Sequence, residues 1–233
     1  MEKYYKITGL TVKMDSFGRA ESQAKPYLTE PCEDADIEIK THWKEFQKTQ
    51  PHLSDEDAEY ICSGGSFYRQ LLKYNGMLLH SSAVVLDGRA YLFSAPCGTG
   101  KSTHTALWRQ VFPNARILND DKPALRLEDG RWFAYGTPWS GKTDQNLNIR
   151  AELAGICMLR RGEENRIRPF GGATALHALL EQTVRPQDPQ AIALLLELVD
   201  KLFRDVPVWE LECNMDPDAA RVSYAAMSVG KKE

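Results

Sequence analysis

Apolar and polar positions along this chain repeat at two periods, and the changes between them mark its elements. Residues 4–14 alternate and predict a strand, and residues 37–39 predict another. A polar, proline-containing stretch lies between them, so residues 1–53 read as a small β-rich N-terminal lobe, with residues 54–233 as the main domain. Ser54 predicts a helix N-cap, with Asp55, Glu56 and Asp57 placing negative charge in the first turn. Gly64-Gly65 predicts an interruption. Phe67, Leu71 and Leu72 predict that a helix resumes over 66–74 and stops at Asn75-Gly76.

Two hairpins follow. Residues 77–86 and 89–94 predict strands joined by Asp87-Gly88, a pair suited to a two-residue turn with positive φ. This register sets Leu86 opposite Arg89, Val84 opposite Tyr91 and Ser82 opposite Phe93, and extends to His80 opposite Ala95. The second hairpin turns at Asp129-Gly130, between 123–127 and 131–135. Extrapolated further, it brings Asp121 towards Pro138 and Asp120 towards Trp139. Beyond it, 153–159 predicts a strand, 173–184 and 190–206 predict helices, and 206–211 predicts a last strand. Asp188-Pro189 is a good helix start, and Leu194, Leu195, Leu198, Val199, Leu202 and Phe203 form an apolar helical face.

Between a predicted strand at 89–94 and a predicted helix at 102–109 lies Ala95-Pro96-Cys97-Gly98-Thr99-Gly100-Lys101-Ser102, which reads as a phosphate-binding loop. Its glycines let backbone N–H groups turn inward on a polyphosphate. Lys101 reaches the terminal phosphates and the Ser102 hydroxyl suits Mg²⁺. The helix N-terminus adds free amides and partial positive charge. Cys97, Gly98, Thr99, Gly100, Lys101, Ser102 and Thr103 are therefore the candidate nucleotide-binding residues. The usual opening glycine is replaced by Ala95. The bland reading is a glycine-rich turn that binds nothing.

Composition narrows the function classes. The 233 residues suffice for one sizeable core, and a formal net charge of −3 removes any global electrostatic case for nucleic acid or an anionic membrane surface. Cys32, Cys62, Cys97, Cys157 and Cys213 are odd in number and widely spaced, which predicts reduced thiols. The N-terminal residues lack a signal-like apolar core and no apolar run reaches membrane-spanning length, so the expected location is cytoplasmic.

A phosphate loop needs acidic partners, and Asp120-Asp121 follows it by some twenty residues. The pair is either a solvated turn or a catalytic pair in which one carboxylate serves metal or acceptor and the other orients. Neighbouring strand residues face opposite ways, which predicts different roles. Leu79-His80-Ser81-Ser82-Ala83-Val84, Cys97-Gly98-Thr99-Gly100-Lys101-Ser102 and Leu118-Asn119-Asp120-Asp121 together resemble the catalytic core of HPr kinase/phosphorylase, over about residues 77–160. The short HPr-kinase-like proteins are the most similar branch. The resemblance implies an α/β P-loop kinase of the HPr kinase/phosphoenolpyruvate carboxykinase type with a mixed, partly antiparallel sheet. It implies ATP and Mg²⁺ as cofactors, Asp120 as catalytic acid/base, Asp121 and His80 as the pair that holds and tunes it, and Lys101 on phosphate. Ser102 and Asp121 are the implied metal ligands. His80 also reads as a hydrogen-bonded core histidine.

The pattern also departs from the family. In place of a Glu-x-Arg-Gly-type segment the chain has Gly136-Thr137-Pro138-Trp139-Ser140-Gly141-Lys142, either an acceptor loop or a tight turn around a packed Trp139. No bifunctional signature loop matches near Gly171-Gly172-Ala173-Thr174. Arg160, Arg161, Arg166 and Arg168 read as a solvated hairpin loop or as a site for an acidic acceptor or nucleotide phosphates. His104 and His177 carry no assigned chemistry. The expectation is transfer of the γ-phosphoryl group of Mg·ATP to a hydroxyl of a peptide or small molecule. Nucleic acid and membrane are not expected partners, and a homo-oligomer is left open. The alternatives are a nucleotide-binding regulator and an NTPase without an acceptor.

Overall fold

A computed structural model of the chain describes residues 2–229. The strands are β1 (Lys3–Ile7), β2 (Leu10–Met14), β3 (Leu28–Thr29), β4 (Ile37–Ile39), β5 (Gly76–Leu78), β6 (Ser81–Leu86), β7 (Arg89–Ser94), β8 (Arg116–Asn119), β9 (Ala124–Glu128), β10 (Arg131–Tyr135), β11 (Arg150–Arg161), β12 (Arg166–Pro169) and β13 (Val208–Cys213). The helices are α1 (Gly18–Ala24), α2 (Trp43–Thr49), α3 (Asp55–Leu71), α4 (Lys101–Val111), α5 (Gly172–Glu181), α6 (Pro189–Asp205) and α7 (Asp218–Met227). The architecture is mixed α/β, with a four-stranded sheet ordered β3-β1-β2-β4 and a larger mixed sheet.

The first sheet corrects one expectation. Residues 4–14 are not one strand but a hairpin, reversed at Thr8-Gly9 with φ of 53° and 79°. The alternation runs unbroken through a two-residue turn, which hides the reversal. Tyr5, Ile7, Val12 and Met14 point inward and share a core with Tyr60, Phe67, Tyr68 and Leu71 of α3 and with Trp139. The small sheet thus packs directly on the helix that leads into the larger one.

α3 corrects another. It starts as expected, with Ser54 Oγ accepting from the Asp57 amide at 3.1 Å, but it passes through Gly64-Gly65 without a break. A Cβ at Gly64 would lie 2.9 Å from Cδ1 of Trp139. Glycine at 64 therefore serves close packing of helix on tryptophan rather than termination. The ring of Trp139 stacks on Phe67 at 4.9 Å and its Nε1 donates to Ser63 Oγ at 3.2 Å. A fully buried side chain of this size contributes roughly 2–3 kcal/mol, far more than the ~1 kcal/mol a helical glycine costs.

The first hairpin register is as read from the sequence, from Leu86↔Arg89 to Ser82↔Phe93, and the ladder ends at Ser81↔Ser94. The single strand expected over 77–86 is instead two. β5 pairs with β9, whereas β6 pairs with β7 and β8. The second hairpin pairs from Arg131↔Glu128 to Tyr135↔Ala124. It goes no further: Lys122 O accepts from Thr137 Oγ1 at 2.7 Å, and the Asp120 amide donates to Gln145 O at 3.1 Å.

Strand order in the large sheet explains where its chemistry gathers. The path runs β5-β9-β10-β11-β7-β6-β8, and β13 pairs in parallel with the C-terminal half of β11. Residues 79–80 join β5, at one end of that path, to β6, next to the other end. Residues 120–123 likewise join β8 to β9. Connections this short reach only about 3.5 Å per residue, so the sheet must curl until its two edges converge. Leu79, Ala83, Leu92, Leu118, Leu125 and Ile156 fill the inside of the curl, closed by Leu195, Leu198 and Leu202 of α6. Tyr91, Phe93, Cys157 and Leu159 face the opposite way, onto Trp108 of α4 and Ala219, Ala220 and Met227 of α7.

Candidate functional site

The loop between β7 and α4 has the geometry that its glycines permit. Gly98 and Gly100 take φ of 77° and 122°, a region L side chains rarely adopt. Gly100 caps α4 without a side-chain bond, so the amides of the first turn stay available to a ligand. Lys101 Nζ donates to Ala95 O at 3.0 Å, folding the side chain back along the loop. Burial lowers its pKa, with Asp121, Cys97 and Asp120 opposing that shift. Cys97, Gly98, Ser102 and Thr103 are exposed, and Thr99 and Gly100 are half-buried.

Opposite the loop, β8 ends at Asn119. Its Oδ1 accepts from the amides of Asp121 (2.9 Å) and Lys122 (2.7 Å), and its Nδ2 donates to Thr137 O at 2.9 Å. This Asx turn releases the chain from strand geometry. The opposite-face argument for the acid pair therefore fails, and both carboxylates line one cavity. Their partners nonetheless differ. Asp120 accepts from Ser82 Oγ at 2.6 Å and Thr143 Oγ1 at 2.8 Å, both neutral hydroxyls. Asp121 Oδ1 lies 3.0 Å from His80 Nε2, and Oδ2 pairs with Lys122. Burial alone would raise the Asp121 carboxyl, but the His80 hydrogen bond and the Lys122 charge outweigh it and hold the group at about 2.

His80 reaches Asp121 by a route other than the expected ladder. Its amide donates to Gln182 O at 2.7 Å and its carbonyl accepts from Ser94 Oγ at 2.7 Å. The next amide, Ser81, donates to Asp121 O at 3.1 Å. Ser82 Oγ also lies 2.8 Å from Thr105 Oγ1, tying β6 to α4 below the loop.

Two cavities flank the loop. One, of about 720 Å³, is lined by Lys101, Ser102, His80, Asp120, Asp121 and Thr143, among others. The second, of about 510 Å³, lies between α4 and the ends of β11 and β13, against Thr99, Leu107, Leu159, Cys213 and Asn214. Arg161 stands at the second cavity and donates to the carbonyls of Gly98 (2.5 Å) and Thr99 (3.2 Å), clamping the loop from behind.

Among the described residues, no cluster of three or more His, Cys, Asp or Glu side chains has metal-ligand geometry. Magnesium bound with a nucleotide needs less: one or two carboxylates, a hydroxyl, phosphate oxygens and water. The Ser102 hydroxyl and the acid pair facing one cavity fit that requirement. Ligation by Asp121 requires Lys122 to leave Oδ2, whereas the donors on Asp120 are uncharged.

The remaining sequence-predicted residues fall in different places. Trp139 is a packed core residue, and only Ser140, Gly141, Lys142 and Thr143 of that region reach the cavity. The arginine cluster is not a hairpin loop, since β11 and β12 each pair with β13 rather than with each other. Arg160 and Arg168 are held by Glu210, and Arg166 by Glu164. His104 is buried against Ser223 and Trp108, and burial lowers its pKa to about 3. The sequence assigns no role to Asn119, Lys122, Thr143 or Tyr60, whose hydroxyl oxygen accepts from the Gly141 amide at 2.8 Å. The adjacency of Asn119 to the acid pair was the available signal for the first of these.

No protein-family model matches this chain, and no curated protein matches it. Among solved structures, the HPr(Ser) kinase/phosphatase from Coxiella burnetii aligns with 65% of this chain and 98% of that one, at 13% identity and a TM-score of 0.37. A likeness at that level carries no assignment of activity.

Proposed function

We propose that this chain is an ATP-dependent phosphotransferase that moves the γ-phosphoryl group to a hydroxyl of a peptide or small molecule. The observation that carries this reading is the shared cavity, in which a glycine loop opening a helix faces the buried Asp120 and the half-buried Asp121. The loop amides and Lys101 bind and orient the phosphates. The cavity behind the loop, walled by Leu107 and Leu159, takes the nucleoside. Magnesium, when bound, would be held by Ser102 and by Asp121 once Lys122 leaves it, and would neutralise phosphate charge. Asp120 accepts the acceptor's proton as the new O–P bond forms and the bond from the γ-phosphorus to the β,γ-bridging oxygen breaks, with ADP leaving on that electron pair. Ser82 and Thr143 hold the Asp120 carboxylate in place, and His80 and Lys122 hold Asp121. The reading is tested by incubating the protein with γ-labelled ATP, magnesium and serine-containing peptides or hydroxylated metabolites. Acceptor-dependent label transfer is the expected result. ATP turnover that no acceptor stimulates would favour a plain NTPase, and binding without turnover a regulator.

A further inference from the structure

A third cavity, of about 710 Å³, lies along α2 and α3. Its walls share Tyr60, Ile61 and Lys122 with the cavity that holds the acid pair, so the two meet at those residues. Its lining is mostly cationic where it is charged: Lys40, Arg69 and Lys122 against Glu45 alone. Lys40 is answered by Glu38 and Lys122 by Asp121. Arg69 has no ion pair or hydrogen bond among the described residues. Its guanidinium lies back along α3, where a Cβ at Gly65 would come within 3.1 Å of Nη1. Glycine at 65 thus leaves room for an exposed charged group at the cavity wall that no described residue neutralises. Phe46, Ile61 and Val184 give the same cavity an apolar wall.

Resting on the phosphotransfer reading above, we infer that the acceptor is an acidic peptide segment in extended form. Its hydroxyl residue sits at Asp120, and a neighbouring carboxylate lies beyond Lys122 and Tyr60 on Arg69. One cavity of this size holds one drug-sized molecule. An acceptor that uses both is longer than a single hydroxylated metabolite and runs past the Tyr60–Lys122 junction. A free arginine is suited to bidentate recognition of a carboxylate.

The test uses the full chain and three probes: a short peptide with one serine followed by two glutamates, the same peptide with lysines in their place, and free serine. Transfer from γ-labelled ATP is measured as kcat and KM, with Mg·ATP affinity measured separately. The glutamate peptide should have a KM about tenfold below that of the lysine peptide, the size expected for one charge-assisted contact. Arg69→Glu should erase or invert that ratio while leaving kcat and Mg·ATP affinity unchanged, and Arg69→Gln should erase it without inversion. Equal KM for the two peptides, an unchanged ratio in both variants, or transfer to free serine alone would overturn the inference while the phosphotransfer reading stands. A protein that does not bind Mg·ATP would overturn that reading, and this inference with it.

Discussion

His80 Nε2 and Asp121 Oδ1 lie 3.0 Å apart, each on a short connection that crosses from one end of the sheet's strand order to the other. The curl of the sheet brings them together, and the main-chain bond from Ser81 N to Asp121 O fixes the approach. Asp121 thereby pairs with His80 and Lys122, whereas the donors on Asp120 among the described residues are neutral hydroxyls.

Replacing Lys101 with alanine should abolish tight Mg·ATP binding in a folded protein. The side chain is half-buried along the loop and, among the described residues, bonds only the Ala95 carbonyl, so its loss costs little packing. Nucleotide titration alongside circular dichroism measures both. Unchanged affinity in a folded variant would remove the phosphate-binding role of the loop.

Asp120→Asn should leave Mg·ATP affinity near that of the parent and lower transfer about a hundredfold to ten-thousandfold, the usual scale of general acid–base help. The amide is isosteric and still meets the Ser82 and Thr143 hydroxyls, so geometry survives and proton acceptance is lost. Single-turnover transfer rates decide it. A loss below about tenfold would return Asp120 to a structural role.

The Asp121 pair should be visible in acid unfolding. Its folded pKa, about 2, lies below its ordinary 3.8. A depressed carboxylate contributes stability that is present above 3.8 and lost as pH falls towards 2. The whole contribution is about 2 kcal/mol. Asp121→Asn should lower stability at neutral pH by roughly that amount and flatten the acid limb of a denaturant-midpoint profile. An acid limb identical to the parent's would show that His80 and Lys122 do not stabilise the ionised form.

Glu59 should act in the opposite sense. It is 1% exposed on α3, neither carboxyl oxygen has a hydrogen-bond partner among the described residues, and burial raises its pKa to about 7. The folded state keeps the proton that the unfolded chain releases near 4.5, so stability falls as pH rises from 4.5 to 7. Glu59→Gln should raise stability by about 3 kcal/mol above pH 7 and change little at pH 4. Thermal unfolding at both pH values measures this. A variant no more stable than the parent at high pH would mean that the carboxylate is solvated or paired there.

Local chemistry was legible in the chain. Asp87-Gly88 and Asp129-Gly130 take positive φ at both residues, and the two hairpin registers follow from those turns. Ser54 and Asp188 cap their helices because a side-chain oxygen three residues before a free amide suffices. The glycine loop stands between a strand and a helix for the same reason: each of these features depends on residues within a few positions of one another. Only the tertiary structure decided the rest. Gly64 is read as a breaker until Trp139 is seen to press on it from seventy-five positions away. The Asp120-Asp121 pair is read as two faces of a strand until Asn119 is seen to end that strand and turn both carboxylates into one cavity. His80 on Asp121 depends on how far the sheet curls, and Arg161 on the loop carbonyls depends on β11 pairing with β7. That curl is a sum over strand pairings distant in sequence, and no local periodicity encodes it.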